Sequence, residues 1–200
     1  MDLPASLAET LRATQRVVEG VRPDQLDQPT PCSEWDVRAL IGHMVWVNAA
    51  FAAGLRGDDP VPRDEGDRLL GDDPAGAYRR TTTEALEEWA SPGALERTLH
   101  LAVGDLPASL AARIHFIDNL VHCWDLATVT GQDHGLDPER AGLALQMCQE
   151  NFAAMGDDKL RGPGKGFAAE VPWPAEAPVH EHLVAFLGRH PHGPSSARLE

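Results

Sequence analysis

The sequence predicts an all-α protein: a helical bundle that ends in a long irregular wrap. Three observations predict it. Apolar residues recur at the three- and four-residue spacing of a buried helix face in successive stretches of the chain. Helix-start and helix-stop residues bracket those stretches, with Asp-Pro pairs in front and glycines behind. Period-two alternation is convincing nowhere outside the short segment 94–103, and no internal repeat is visible.

The first helix is expected over residues 4–19, with Leu7, Leu11, Val17 and Val18 as its apolar positions and Gly20 as its stop. The stretch from Val21 to Cys32 carries three prolines and reads as a connection. The second helix is expected to open at Ser33, because Ser33-Glu34-Trp35-Asp36 has the form of a capping box. Val37, Leu40, Ile41, Met44, Phe51 and Leu55 follow at spacings of 3, 1, 3, 7 and 4, and the helix should end near Arg56-Gly57. Residues 57–73 read as a loop with one apolar pair, Leu69-Leu70. Asp73 as N-cap with Pro74 behind it starts a third helix, which runs to about Ala90 before Ser91-Pro92-Gly93. Residues 94–103 are either a short strand or an extended linker. Gly104-Asp105-Leu106-Pro107 reads as the start of a fourth helix, which continues to Thr130 with Gly131 behind it. Asp137-Pro138 starts a fifth, ending before Gly156. Residues 156–177 are too rich in Gly and Pro for regular structure, and a short helix over 178–187 closes the pattern.

The length suggests one domain over residues 1–200, with a core at 1–155 and a C-terminal extension at 156–200. With 17 basic and 31 acidic residues the net charge is −14, which argues against nucleic acid or an anionic membrane as partner. No run of 18 apolar residues exists, since Leu40 to Leu55 is interrupted by His43 and Asn48, so no membrane span is expected. The N-terminus lacks the basic and apolar regions of a signal peptide. The cysteines, Cys32, Cys123 and Cys148, are too few and too far apart for a disulfide framework. A reduced, cytoplasmic protein is the expectation. Lysine occurs only at 159 and 165, which reads as a GC-rich coding bias, and Leu199-Glu200 is either native or a cloning scar.

The fourth helix carries the chemistry. It is apolar at most angles (Ile114, Phe116, Ile117, Leu120, Val121, Trp124, Leu126), as in a helix buried on most sides. Yet His115, Asp118, His122 and Asp125 follow at spacings of 3, 4 and 3 and so share one narrow face, with Arg113 and Asn119 elsewhere. Two readings are open from the spacing. The stripe is a solvent face, or it points into the bundle and binds a metal, as inward carboxylates and histidines do in other bundles. An Asp and a His four residues apart can reach one ion, and a divalent ion at neutral pH takes imidazole nitrogen and carboxylate oxygen. His43, in the apolar setting Leu40-Ile41-Gly42-His43-Met44-Val45-Trp46, is the candidate ligand from a second helix; alone it would read as a core histidine.

Two motifs carry a resemblance. Pro29-Thr30-Pro31-Cys32-Ser33-Glu34-Trp35-Asp36-Val37-Arg38 with His43 behind it, and Asp118 through His122 to Trp124-Asp125-Leu126-Ala127 with Thr130-Gly131, resemble the DinB-like metalloenzymes. Within them the chain looks closest to the actinobacterial proteins related to mycothiol-dependent maleylpyruvate isomerase. Glu170 to Pro174 and Ala185 to Arg189 resemble the ends of small members. The resemblance implies a DinB-like four-helix bundle with additional C-terminal helices and one divalent metal, zinc or nickel. The matching ligand positions are His43, Asp118 and His122. It also implies a low-molecular-weight thiol such as mycothiol as cofactor, a small-molecule substrate, and transferase or isomerase chemistry. Two departures stand out: Asp118 replaces a glutamate, and the chain has only a Gly/Pro-rich wrap and short helix where the isomerase has a sizeable C-terminal domain. Maleylpyruvate isomerisation itself is therefore not implied.

A metal-dependent hydrolase using the same open site, and a non-catalytic bundle binding a ligand or partner, remain as alternatives. A homodimer is compatible with a bundle of this size. His115 and Asp125 flank the ligand positions and could orient a ligand imidazole; Asp125 could equally cap or pair with an Arg. Cys123 points about 100° away from His122 and reads as packing. Cys32 is either a reactive thiol near a helix start or a small buried residue, with burial favoured. Trp35, Trp46 and Trp124 read as core. Arg161 to Gly166 lacks the Ser or Thr of a phosphate loop, and the His180/His182 and His190/His192 pairs read as surface.

Overall fold

The computed structural model describes residues 2–32, 35–102, 104–162 and 167–192. These form two compact units, 1–134 and 135–200. The boundary falls in the connection before the helix at Pro138–Met155, so that helix belongs to the second unit.

The first unit is built on four long helices: α1 (Leu3–Glu19), α2 (Val37–Arg56), α4 (Pro74–Trp89) and α5 (Ala108–Thr130). A short α3 (Gly66–Leu70) lies between α2 and α4. A two-stranded antiparallel hairpin, β1 (Thr98–Leu101) with β2 (Gly104–Pro107), leads into α5. Helices α1 and α2 each pack against both α4 and α5, which closes a four-helix ring. Val17, Val18, Val37, Leu40, Ile41, Met44, Tyr78 and Leu126 meet in its core. This is the all-α helical bundle expected from the helical periodicity, in the four-helix form that the resemblance implies. Helix α2 is long and apolar enough to cross a membrane by length and composition alone, but most of it is buried inside the bundle, as in a core helix.

Local chemistry accounts for most boundaries. Asp73 accepts the Gly76 N–H at 2.9 Å, and Asp137 accepts that of Arg140, so each caps the helix that its following proline begins. Gly57 and Gly131 end α2 and α5 in the left-handed conformation, with φ of 80° and 69°.

The structure corrects the expectation at three places in the first unit. The second helix starts at Val37, not Ser33, and Asp36 is its cap, accepting the Ala39 N–H at 2.7 Å. Ser33 and Glu34 lie outside the described residues, as do 163–166 of the Gly-rich run and Leu199-Glu200. The 57–73 segment contains α3, because Leu70 buries against the core while Gly66 meets α2 at Gly42. A Cβ on Gly66 would lie 3.1 Å from the Gly42 carbonyl oxygen. Residues 104–107 are strand, not helix: Leu106 pairs with the fully buried Leu99, and α5 begins only at Ala108, whose N–H donates to the Arg97 carbonyl.

The second unit holds α6 (Pro138–Met155), a single-turn α7 (Asp157–Leu160) inside the stretch expected to be irregular, and α8 (Val179–Phe186). Its hub is Arg161, whose guanidinium lies over the rings of Phe152 and Phe186 at 4.3 and 4.6 Å and pairs with Asp157. This pairing stabilises α7 in a composition that gives no helical period.

Candidate metal centre

The stripe on α5 faces inward. His115 and Asp125 have no exposed surface and His122 has 8%, while Asp118 lies at the edge. The sequence therefore uses one helix face for polar groups, and the bundle closes over it.

The stripe divides into two groups. His115 belongs to a buried network. The Trp89 Nε1–H donates to His115 Nδ1 at 3.0 Å, and an indole N–H can only donate, so Nδ1 bears no hydrogen. Its Nε2–H then donates to Asn48 Oδ1 at 2.8 Å. Asn48 donates onward to Thr82, and Tyr78 donates to Asn119 Oδ1 at 2.6 Å. Burial pushes the His115 pKa down to about 4, against the pull of Asp118, so the ring is held neutral. It does not orient a ligand histidine. Asn119, placed off the stripe by the sequence reading, is a buried member of this network.

The second group is the candidate centre. His43 from α2 and Asp118 and His122 from α5 offer ligand atoms that all lie within 4.8 Å of one another. His43 Nε2 is 3.1 Å and His122 Nε2 3.6 Å from Asp118 Oδ1. Burial alone would raise the Asp118 carboxyl. The His43 and His122 rings outweigh that and hold its pKa at about 2, so it is ionised at neutral pH. Asp118 Oδ2 is buried with no hydrogen-bond donor among the described residues, and an unsatisfied buried carboxylate oxygen is costly.

Asp125 supports this group from behind. Its Oδ2 lies 2.9 Å from His122 Nδ1, and since a carboxylate only accepts, Nδ1 carries the hydrogen in that contact. His122 Nε2 then presents a lone pair toward Asp118. Two electron-rich atoms facing each other at 3.6 Å call for a proton or a cation between them. The residues therefore fit a divalent cation by donor type, spacing and the orphaned oxygen.

Three residues read as packing from the sequence also border the centre. Trp35 stacks against His43 with ring centroids 4.6 Å apart and lies 5.9 Å from His122. Cys32 Sγ lies 3.4 Å from Asp125 Oδ2 and 3.9 Å from His122 Nδ1. Thr30 shapes the loop that carries both: its hydroxyl donates to the Trp35 carbonyl at 2.8 Å and accepts the Cys32 N–H at 3.2 Å. Trp124 and Cys123 are buried in the core. Trp46 borders His43 at 6.1 Å and donates its indole N–H to the Val61 carbonyl. Side-chain exposure falls from 21% at His43 and 20% at Asp118 to 10% at His122 and none at Asp125, so the centre is open on the His43/Asp118 side.

Residues 7–127 match the family profile described as the mycothiol maleylpyruvate isomerase N-terminal domain. The chain belongs to that family. The matched stretch includes Cys32, Trp35, His43, Asp118, His122 and Asp125, and the second unit lies beyond it. Two uncharacterized proteins, from two strains of Mycobacterium tuberculosis, are each 39% identical over 174 residues, 86% of this chain and 90% of the relative. Among solved structures, the crystal structure of the mycothiol-dependent maleylpyruvate isomerase is similar with a TM-score of 0.56, and that of a histidine-to-alanine mutant with 0.58. Each is 18% identical and covers 72% of this chain and 68% of the other, a likeness that shows the shared bundle fold.

Proposed function

We propose that the chain binds one divalent cation, zinc or nickel, through His43, Asp118 and His122, and acts with a low-molecular-weight thiol of the mycothiol type as a transferase or isomerase on a small molecule. The observation that carries the reading is Asp118 Oδ2, a buried carboxylate oxygen without a donor among the described residues, beside two histidine nitrogens. Membership of the mycothiol maleylpyruvate isomerase N-terminal domain family supports the thiol. Burial of the apolar α2 inside the bundle argues against that helix as a membrane span.

When bound by three protein ligands, such a cation supplies Lewis-acid charge that favours the thiolate of a coordinated thiol near neutral pH. The chain's own residues prepare the place. Asp125 fixes the tautomer of His122 by accepting its Nδ1–H. Asp118 is ionised and contributes the negative charge. Trp35 covers the His43 ring and limits water on that side, while the exposed edges of His43 and Asp118 leave a side for the thiol to enter.

The test is elemental analysis of protein purified without chelator, beside a His122→Ala variant, followed by thiol-transfer assays with and without metal. Near-stoichiometric metal in the wild type, its loss in the variant, and activity needing both metal and thiol are expected. No metal after reconstitution with zinc and nickel would overturn the reading. Metal-dependent activity without thiol would turn it toward hydrolysis.

A further inference from the structure

Among the described residues, His122 is the one side chain shared by two donor sets. Its Nε2 faces His43 and Asp118, and its Nδ1 faces Asp125 and Cys32. The second set is sulfur, nitrogen and oxygen. Its separations are 3.9 Å for Cys32 Sγ to His122 Nδ1, 3.4 Å for Cys32 Sγ to Asp125 Oδ2, and 2.9 Å for His122 Nδ1 to Asp125 Oδ2. Donors at tetrahedral angles with zinc-type bonds of about 2.0–2.3 Å lie about 3.3–3.8 Å apart. The observed triangle brackets that range, so small side-chain shifts suffice. Two of the three side chains are at least nine-tenths buried, and Cys32 is half-buried at the end of the loop set by Thr30.

Cys32, His122 and Asp125 are not arranged as a nucleophile–base relay. In a relay the thiol and the carboxylate sit on opposite ring nitrogens. Here both approach Nδ1, which is how ligands gather around one ion.

We propose that Cys32, Asp125 and His122 Nδ1 form a second cation site that selects thiophilic ions, of the cadmium(II) or copper(I) class, and that its occupancy competes with the His43/Asp118/His122 centre for one imidazole. The site itself rests on geometry alone; the competition rests on the function proposed above. Sulfur gives the selectivity, since soft ions prefer thiolate over the all-nitrogen-and-oxygen set. On binding, the Cys32 thiol loses its proton to solvent. The single proton of neutral His122 passes from Nδ1 to Nε2, where it faces the Asp118 carboxylate. His122 is then lost to the first centre.

The experiment titrates reduced, metal-stripped full chain with cadmium(II), reads the ultraviolet thiolate-to-cadmium charge-transfer band, and follows zinc release from zinc-loaded protein. In the wild type a band that saturates stoichiometrically while zinc leaves is expected. Cys32→Ser should abolish the band and weaken cadmium binding at least roughly ten-fold, while zinc still binds. His43→Ala should keep the band. Cys32→Ala is the second variant, with circular dichroism to establish that each is folded. A band that survives in both Cys32 variants, or no band in the wild type, would overturn the site. Zinc that stays bound as the band saturates would overturn the competition. A Cys32-dependent band in protein that never binds zinc would sustain the second site and refute the first centre, which separates the two readings.

Discussion

Asp118→Asn tests the centre most directly, because it changes charge while keeping volume. Wild-type protein that binds zinc only when folded gains about 2.7 kcal/mol at a free zinc concentration 100 times the dissociation constant. In a chain of this size each kcal/mol moves Tm by roughly 2–4 °C. Zinc should therefore raise the melting temperature by about 5–11 °C. In the structure, Asp118 Oδ1 lies 3.1 and 3.6 Å from the two histidine nitrogens, and its Oδ2 has no donor among the described residues. Removing one partner from such a largely buried charged set costs roughly 3–5 kcal/mol. That corresponds to a loss of at least about a hundred-fold in zinc affinity. At the same free zinc the Asn variant is then at most half-saturated, and its melting temperature should rise by less than about 2 °C. Differential scanning calorimetry with buffered zinc reads both shifts, and the metal-free variant should remain folded. Equal shifts in the two proteins, or no shift in the wild type, would refute the assignment of Asp118 as a ligand.

Asp125→Asn should leave the fold intact and weaken zinc binding roughly 10–100-fold, since its acceptance from His122 Nδ1 is what orients that ligand; competition against a coloured chelator reads the change, and unchanged affinity would discard the orienting role. Acid should destabilise the metal-free protein through His115. Its pKa is depressed from 6.5 to about 4, so the unfolded chain binds the proton first as pH falls. The stability contributed by the neutral ring is fully present above pH 6.5 and is lost as pH falls toward about 4, by about 3 kcal/mol. Urea denaturation across that window should show this slope in the wild type and a flatter one in His115→Gln, whose amide can accept from Trp89 and donate to Asn48; identical slopes would contradict it.

What the sequence revealed follows the range of the interactions involved. The starts of α4 and α6 were legible because Asp73-Pro74 and Asp137-Pro138 hold the cap chemistry within four residues. Helix α3 was not, because five residues give no period and its packing depends on Gly66 lying against Gly42 of another helix. In the sequence, Gly104 to Pro107 reads as a helix start because it resembles a cap, whereas the structure of β2 comes from pairing with β1. At the candidate centre, Asp118 and His122 were legible from a spacing of four, and His43 from an apolar setting plus the family resemblance. Cys32 lies 90 residues from His122 in the chain, so no spacing rule connects them. Trp35 read as core because nothing local to it reveals that the ring beneath is His43.

Burial alone does not distinguish a site from a scaffold in this bundle; the difference is whether the polar groups are satisfied. His115 and Asn119 are as deeply buried as any polar residues on α5, and their hydrogen bonds close among Trp89, Asn48, Thr82 and Tyr78. That network fixes one neutral tautomer, and a fully satisfied buried network is a device for a unique core. One turn further along, Asp118 and His122 repeat the chemistry without closing it. Asp118 Oδ2 has no donor among the described residues, and the lone pair that Asp125 forces onto His122 Nε2 faces a carboxylate. The same helix thus carries a finished network and an unfinished one. On the function proposed above, a cation would satisfy the second through atoms already in place, and among the described residues nothing comparable is wanting in the first.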